Sequence, residues 1–267
     1  MQKVQQKFYI GCESKSVRSP LAPNFKLIAD MSLKIIDEHE YMSHVPYTSA
    51  MGSLIYAMMC TRSDLSQAMS MILRYMHGPG KGHREVVRWI FWYIKGTVDV
   101  GLIFKKNDHG KKECKCYVDS DCVGDLDKHW STIGVFTLSQ APMSWHCNLQ
   151  FTVIFSMIED EYMTSTEVVK EAIWPQGLMD DLRINQDFMK VHCDSISAIY
   201  LAKNQVYHAK MKHIDVRYHF VRDILEDEDI ELKNIHTQNN PMDMHTKVIS
   251  RVKFNHYKNL LCILPVI

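Results

Sequence analysis

Residues 116–125 read CYVDSDCVGD, which places Asp119, Asp121 and Asp125 within seven positions. The residues leading into them alternate between apolar and polar, as a half-buried strand does. Like charges this close repel one another and resist removal from water. The stretch is therefore either a solvated strand exit or a place where a cation sits. By the two-residue period of a strand, Asp119 and Asp121 share one face.

Working outward, "STIGVFTL" (131–138) and "PMSWHCNLQFTVIF" (142–155) read as further strands with short connections. A long helix follows over roughly 157–182, then a strand "KVHCDS" and a helix "SAIYLAKN". Another helix is expected near 211–227, then a strand "IELKNIHT" and a last helix from about 241. Upstream, "DVGLIFKK" and "CKCYVDSD" flank the turn "NDHGKK" and predict a hairpin. The order βββ-α-β-α-α-β-α predicts an α/β fold, one mixed sheet with helices on its faces, over residues 99–267. Residues 47–98 carry helical spacing, with Ser63 as an N-cap, a break at "HGPG" (77–80) and a stop at Gly96. Residues 1–46 show turn punctuation and little periodicity, and are expected to be an extended lead-in.

The chain of 267 residues is 46% hydrophobic and 23% charged, a globular composition. Lys+Arg and Asp+Glu both total 31, so no global basic signature marks an autonomous nucleic-acid binder. The eight cysteines form no CxxC pair, and "WHC" and "VHC" do not match structural zinc spacings. No apolar run approaches the ~20 residues of a membrane span. The start, "MQKVQQKFYIGCE", has no targeting pattern and reads as the interior of something longer. These features predict reduced thiols and an intracellular chain, cytoplasmic or nuclear rather than secreted.

Four acids fall at expected element ends. Asp119 and Asp194 close strands, Glu161 lies at the start of the long helix, and Asp243 starts the last one. Hard divalent cations take oxygen ligands from rigid elements, and magnesium uses few carboxylates beside water and phosphate. The plain alternative is that acids at element ends are solvated, or sit at helix N-termini because the dipole favours them there. Within "SMIEDEY", Ser156 and Glu159 form an S-x-x-E capping box. Glu161 lies about 200° further round the helix, which leaves it free for another target.

The segments "PYTSAMGSLIYAMMCTRSDLSQAMS", "YIKGT", "EDEYM", "KEAIW", "CDSISAIYLAKN", "KHIDVRYHFVRDILE" and "IHTQNNPMDMHTK" occur in this order. Together they resemble the C-terminal part of copia-type LTR-retrotransposon Pol polyproteins, nearly end to end. The resemblance implies the tail of a reverse transcriptase followed by a ribonuclease H domain. The fold it implies is a ribonuclease H-like five-stranded mixed sheet with flanking helices, preceded by a small helical thumb- or connection-like segment. A D-E-D-D set would hold two Mg²⁺ ions, for which Mn²⁺ can substitute, and would cut the RNA strand of an RNA/DNA hybrid. By motif these residues are Asp119, Glu161, Asp194 and Asp243. His236 is either a proton-transfer or product-release residue or a strand-end histidine without a role. Two such metal ions, about 3.5–4 Å apart, activate a water and stabilise the leaving 3′-oxygen. The basic, aromatic stretch 203–220 offers Lys203, Lys210, Lys212, His213 and Arg217 to the phosphate backbone, or is an ordinary solvated helix surface. The implied partners are the hybrid and the remainder of the polyprotein, with no membrane and no small-molecule cofactor.

The chain also departs from the family pattern. "YVDS" at 117–120 has Ser where the polymerase box "YVDD" has its second Asp, so polymerisation is not available to this chain alone. "STIGVFTL" is one residue shorter than the family's "STTGYVFTL", which predicts either a register slip or a bulge. Pro175 stands inside the long helix, where proline costs about 3 kcal/mol and should kink or break it at Trp174. His245 stands where the family prefers an apolar residue. Two functions follow: a metal-dependent ribonuclease H module, weakened by these changes, or a non-catalytic remnant.

Overall fold

A computed structural model describes residues 17–22, 25, 36–105, 114–121, 130–150, 157–184, 188–203 and 230–266. Within these, the side chains of 36–39, 120–121, 130–133, 146–150 and 157–161 are outside the description. Five strands form one mixed sheet: β2 (Cys114–Asp121), β3 (Trp130–Leu138), β4 (Ala141–Gln150), β5 (Met189–Cys193) and β6 (Ile230–Asn234). Their spatial order is β4-β3-β2-β5-β6. The β4-β3-β2 meander is antiparallel, whereas β2, β5 and β6 run parallel. Parallel neighbours need crossover connections, and α5 (Met157–Asp181) and α6 (Ile196–Lys203) lie in them.

Alternation along the strands splits the apolar residues between two cores. Cys116, Val118, Phe136, Val191, Cys193 and Leu232 face one side, where Tyr162, Val168, Val169 and Ala172 of α5 cover them. Val135 and Trp145 face the other side and join the core built by α2 (Tyr47–Cys60), α3 (Ser66–Leu73) and α4 (Lys81–Lys95). Met242, Met244, Phe254, Tyr257 and Ile263 from the C-terminal segment complete this second core, so it extends across residue 98 in both directions. A buried polar cluster crosses the same line. Arg62 grips Asp64 with two bonds of 2.9 Å and bonds Thr97, Tyr93 donates to Asp64 at 2.5 Å, and Lys258 donates to Tyr93 at 3.1 Å.

Several expectations change. Residues 36–43 form a helix, α1 (Ile36–Ser43), rather than extended chain, and Met42 is buried in the second core. Ser63 opens a 3-10 turn (Ser63–Leu65) and makes no cap; its buried hydroxyl has no hydrogen-bond partner. The expected hairpin does not form. Instead β1 (Val100–Leu102) pairs antiparallel with β7 (Ile263–Pro265) in a separate two-stranded sheet, where Ile263 is buried. The last helix divides into α7 (Asp243–Thr246) and α8 (Arg251–Leu260), the second capped by the Ser250 hydroxyl. The helix expected near 211–227, the capping serine Ser156, and Asp125 lie outside the described residues.

The shortened strand keeps a continuous register with β2, from Cys114 opposite Leu138 to Asp121 opposite Ser131. The irregularity falls between β3 and β4, where Phe136 opposes Ser144 but Thr137 opposes Pro142. A bulge therefore lies at Met143, beside a proline that has no amide to give the ladder. The turn joining these strands, Ser139-Gln140, holds both residues at positive φ (51° and 71°) without a glycine. Gly134 lies under α5, and a Cβ placed there would sit 2.7 Å from a Val168 methyl.

Helix α5 does not break at Trp174. It runs through Pro175 to Asp181. Met179 is buried against the first core and Leu178 packs on it, and this burial beyond the proline holds the last turns helical. Trp174 is left exposed on the outer face. Pro175→Leu should raise stability by roughly 2–3 kcal/mol, the helix-interior cost of proline, measured as the denaturant midpoint. Gly134→Ala should lower it by about 1–3 kcal/mol, because the stiff Val168 cannot swing aside. Equal midpoints would mean that the β3–α5 contact tolerates a methyl group.

Candidate active site

Asp119 follows Tyr117 on the face opposite Val118, so it points toward α7 and not toward α5. It is buried, at 6% exposure, as is Asp243 in the first turn of α7. The turn "NNPMD" is what brings these acids together. Asn240 donates its side-chain amide to the Val118 carbonyl at 2.9 Å and accepts from the Met242 amide at 3.2 Å. This pins the start of α7 to the strand one residue before Asp119. Pro241 then supplies a fixed φ suited to entering a helix.

Lys247 lies between the two carboxylates. Its ammonium donates to Asp119 at 3.0 Å and to Asp243 at 2.9 Å, the first partner 128 positions away in sequence. Thr246 donates to the same Asp119 oxygen at 2.6 Å, and the Tyr257 hydroxyl of α8 donates to Asp243 at 3.1 Å. Burial pushes the Asp119 carboxyl up to about 6; Lys247 and Thr246 pull it down without prevailing, and the charge of Asp194 adds to the rise. For Lys247, burial works against the ammonium, but Asp119 and Asp243 outweigh it and hold it above the ordinary lysine range. The two ends of the pair differ because the Lys247 side chain is 38% exposed and the Asp119 side chain only 5%. Burial, then the neighbouring Asp243 charge, pushes the Tyr257 phenol up to about 12.

The other expected residues are placed as follows. Asp194 leaves β5 half-buried, close enough to act on Asp119 electrostatically, and its backbone carbonyl accepts from Asn234. Glu161 lies near the N-terminal end of α5, the helix covering the opposite face of the sheet, and its side chain is outside the described residues. His236 is exposed and caps the 3-10 turn Thr237–Asn239, accepting from the Gln238 amide at its Nδ1. That bond places the proton of the neutral ring on Nε2. Lys203 is exposed and donates to the Leu232 carbonyl at 3.2 Å. Lys210, Lys212, His213 and Arg217 lie outside the described residues.

The sequence reading passed over Lys247, Thr246, Asn240 and Tyr257. The Asp243/Lys247 spacing of four was a usable helical signal, and "NP" marked a turn; nothing pointed to Tyr257. Among the described residues, no group of three or more metal-ligating side chains converges. Two buried carboxylates around one ammonium nevertheless have the donor chemistry of a hard cation, and magnesium binds through one or two carboxylates with water and phosphate oxygens completing its shell.

The chain is 42% identical over 98% of its length to the retrovirus-related Pol polyprotein from transposon TNT 1-94 of Nicotiana tabacum, covering 19% of that protein. It is 32% identical over 95% of its length to the Pol polyprotein from transposon RE2 of Arabidopsis thaliana, and 32% over 91% to that from transposon RE1. This chain belongs to the copia-type retrotransposon Pol polyproteins. It spans about a fifth or less of the length of these relatives. No family model matches the chain, and no solved structure matches it significantly. Among the described residues, no helix is long and apolar enough to cross a membrane.

His245, between Asp243 and Lys247, turns the other way into the second core. It is 1% exposed with neither ring nitrogen hydrogen-bonded, and burial pushes it down to about 4 against the pull of Asp64. A base depressed on folding stabilises the native state above its unfolded pKa, near 6.5, and that stability is lost as pH falls through 4. The swing is of the order of 3 kcal/mol at about 1.36 kcal/mol per pH unit. Asp119 has the opposite sign: raised to about 6, it favours the fold below about 3.9, and this contribution is lost as pH rises through 6. His245→Leu should therefore stabilise the protein at pH 7.5 by about 1–3 kcal/mol, by removing unsatisfied buried nitrogens. It should also make the loss of stability between pH 6.5 and 4 shallower, because His83, likewise depressed by burial, still contributes to it. Urea midpoints measured across that range test both effects.

Proposed function

We propose that this region is a ribonuclease H-like module that hydrolyses the RNA strand of an RNA/DNA hybrid by two-metal catalysis. One observation carries the reading: two buried carboxylates, delivered by a central strand and by the helix after the last parallel strand, are held around a single cation. The mixed five-stranded sheet and the copia-type kinship support the same fold and chemistry.

Asp119 and Asp243 would hold the metal, with Asp194 and Glu161 as the further ligands that the motif supplies. Thr246 and Tyr257 fix the rotamers of Asp119 and Asp243, the task of outer hydrogen bonds around a metal site. When bound, two Mg²⁺ or Mn²⁺ ions supply an activated water and neutralise charge on the leaving 3′-oxygen. The hybrid is distinguished from duplex DNA through its 2′-hydroxyls and minor-groove shape. Lys203, Lys210, Lys212, His213 and Arg217 contribute salt-dependent affinity for phosphate. His236, with its proton on the exposed Nε2, serves proton transfer or product release. The rest of the polyprotein is the partner that brings hybrid to the site.

A labelled RNA/DNA hybrid should be cut in the presence of Mg²⁺ or Mn²⁺, and duplex DNA left intact. Asp119→Asn and Asp194→Asn should abolish cutting while leaving the circular dichroism spectrum unchanged. Undiminished cutting by either variant would assign the activity to a contaminant. An inert unmutated chain would leave the non-catalytic remnant as the reading.

A further inference from the structure

Resting on the nuclease reading, we infer that Lys247 is an exchangeable counter-ion, its ammonium occupying the cation position between Asp119 and Asp243 until a divalent ion displaces it. Its nitrogen is bonded to both carboxylates, at 3.0 and 2.9 Å, so any ion that bridges them must take its place. The acids are nearly dry, whereas the Lys247 side chain is 38% exposed. The stem can therefore leave by rotating toward solvent, with no rearrangement of the fold. Lys247 also lies just past the end of α7, where the backbone turns extended, so its departure breaks no helix. Thr246 and Tyr257 stay bonded to the two acids when the lysine leaves, which keeps the carboxylates oriented for the incoming ion. The groups facing this point are Asp119 from β2, Asp243 and Thr246 from α7, and Tyr257 from α8, with Asp194 acting at longer range.

A permanent structural ion pair and an exchangeable one predict opposite effects of removing the lysine. If the lysine competes, Lys247→Met binds Mg²⁺ about three- to fivefold more tightly in calorimetric titration of the metal-stripped full chain, the scale of a partly exposed ion pair. The variant should then melt lower in EDTA but gain more than the unmutated chain on adding Mg²⁺. Lys247→Arg keeps the charge and should keep the weaker binding. Equal or weaker Mg²⁺ binding by Lys247→Met would overturn the inference and leave the nuclease reading standing. Absence of Mg²⁺ and Mn²⁺ binding in all three chains would remove both. A second measurement needs no variant. Acylation of Lys247 by N-hydroxysuccinimidyl acetate, read by peptide mass spectrometry, should be slow in EDTA and several-fold faster in saturating Mg²⁺. Unchanged reactivity across that titration would overturn the inference even if Lys247→Met failed to fold.

Discussion

A carboxylate kept out of water must be paired, and the surroundings of Asp119 follow from that constraint. The strand places the acid on the face of the sheet that meets α7, where little of it reaches solvent. The partners have to come from a segment more than a hundred residues later, and Asn240 anchors that segment to the carbonyl next door. From this one anchor follow the position of α7, the reach of Lys247, and the approach of α8 with Tyr257. The site is thus a consequence of backbone pairing first and of charge second.

The same logic governs Asp64, another buried carboxylate among the described residues. Asp64 is fully enclosed, and although burial works against it, Arg62, Lys258 and Tyr93 hold its carboxyl below the usual range. Arg62 and Tyr93 belong to the helical layer and Lys258 to α8. A buried pair broken on one side leaves an uncompensated charge, a loss of about 3–5 kcal/mol. The helical layer and the sheet therefore share their electrostatics as well as their apolar core. Residues 47–98 serve as one wall of the structure that positions α8 and, through it, Tyr257.

Much of this was readable in the residues, and the failures have physical causes. The period of two in "CKCYVDSD" located β2, because alternation is a local property of the strand, whereas which face of the sheet Asp119 meets depends on packing. Helix α5 was visible from its spacing, but its survival past Pro175 was not, since it depends on Met179 and Leu178 finding the core. The strand in "DVGLIFKK" was expected, but its partner was not: β7 has three residues, too few for periodicity, and the pairing joins opposite ends of the region. Asp119 and Asp243 could be named from motifs. The Asp243–Lys247 bond had a local signal in its spacing of four, but the reach of the same ammonium to Asp119, 128 positions away, had none. His245 was noticed as an oddity of type, and only its enclosure shows why the type matters.

The pairing of Val100–Leu102 with Ile263–Pro265 also has a temporal side. Contacts this far apart in sequence close late, since the entropy of a long loop must be overcome before they contribute. During synthesis, at about 5–20 residues per second, β1 emerges from the ribosome many seconds before its partner exists. Ile263, Leu261, Tyr257 and Phe254 all belong to the core that the helical layer shares. Until residues 254–263 are made, that layer carries an uncovered apolar face and an acid, Asp64, without its lysine. Exposed apolar surface of this kind favours association with other chains, and the pairing of β1 with β7 accompanies its burial.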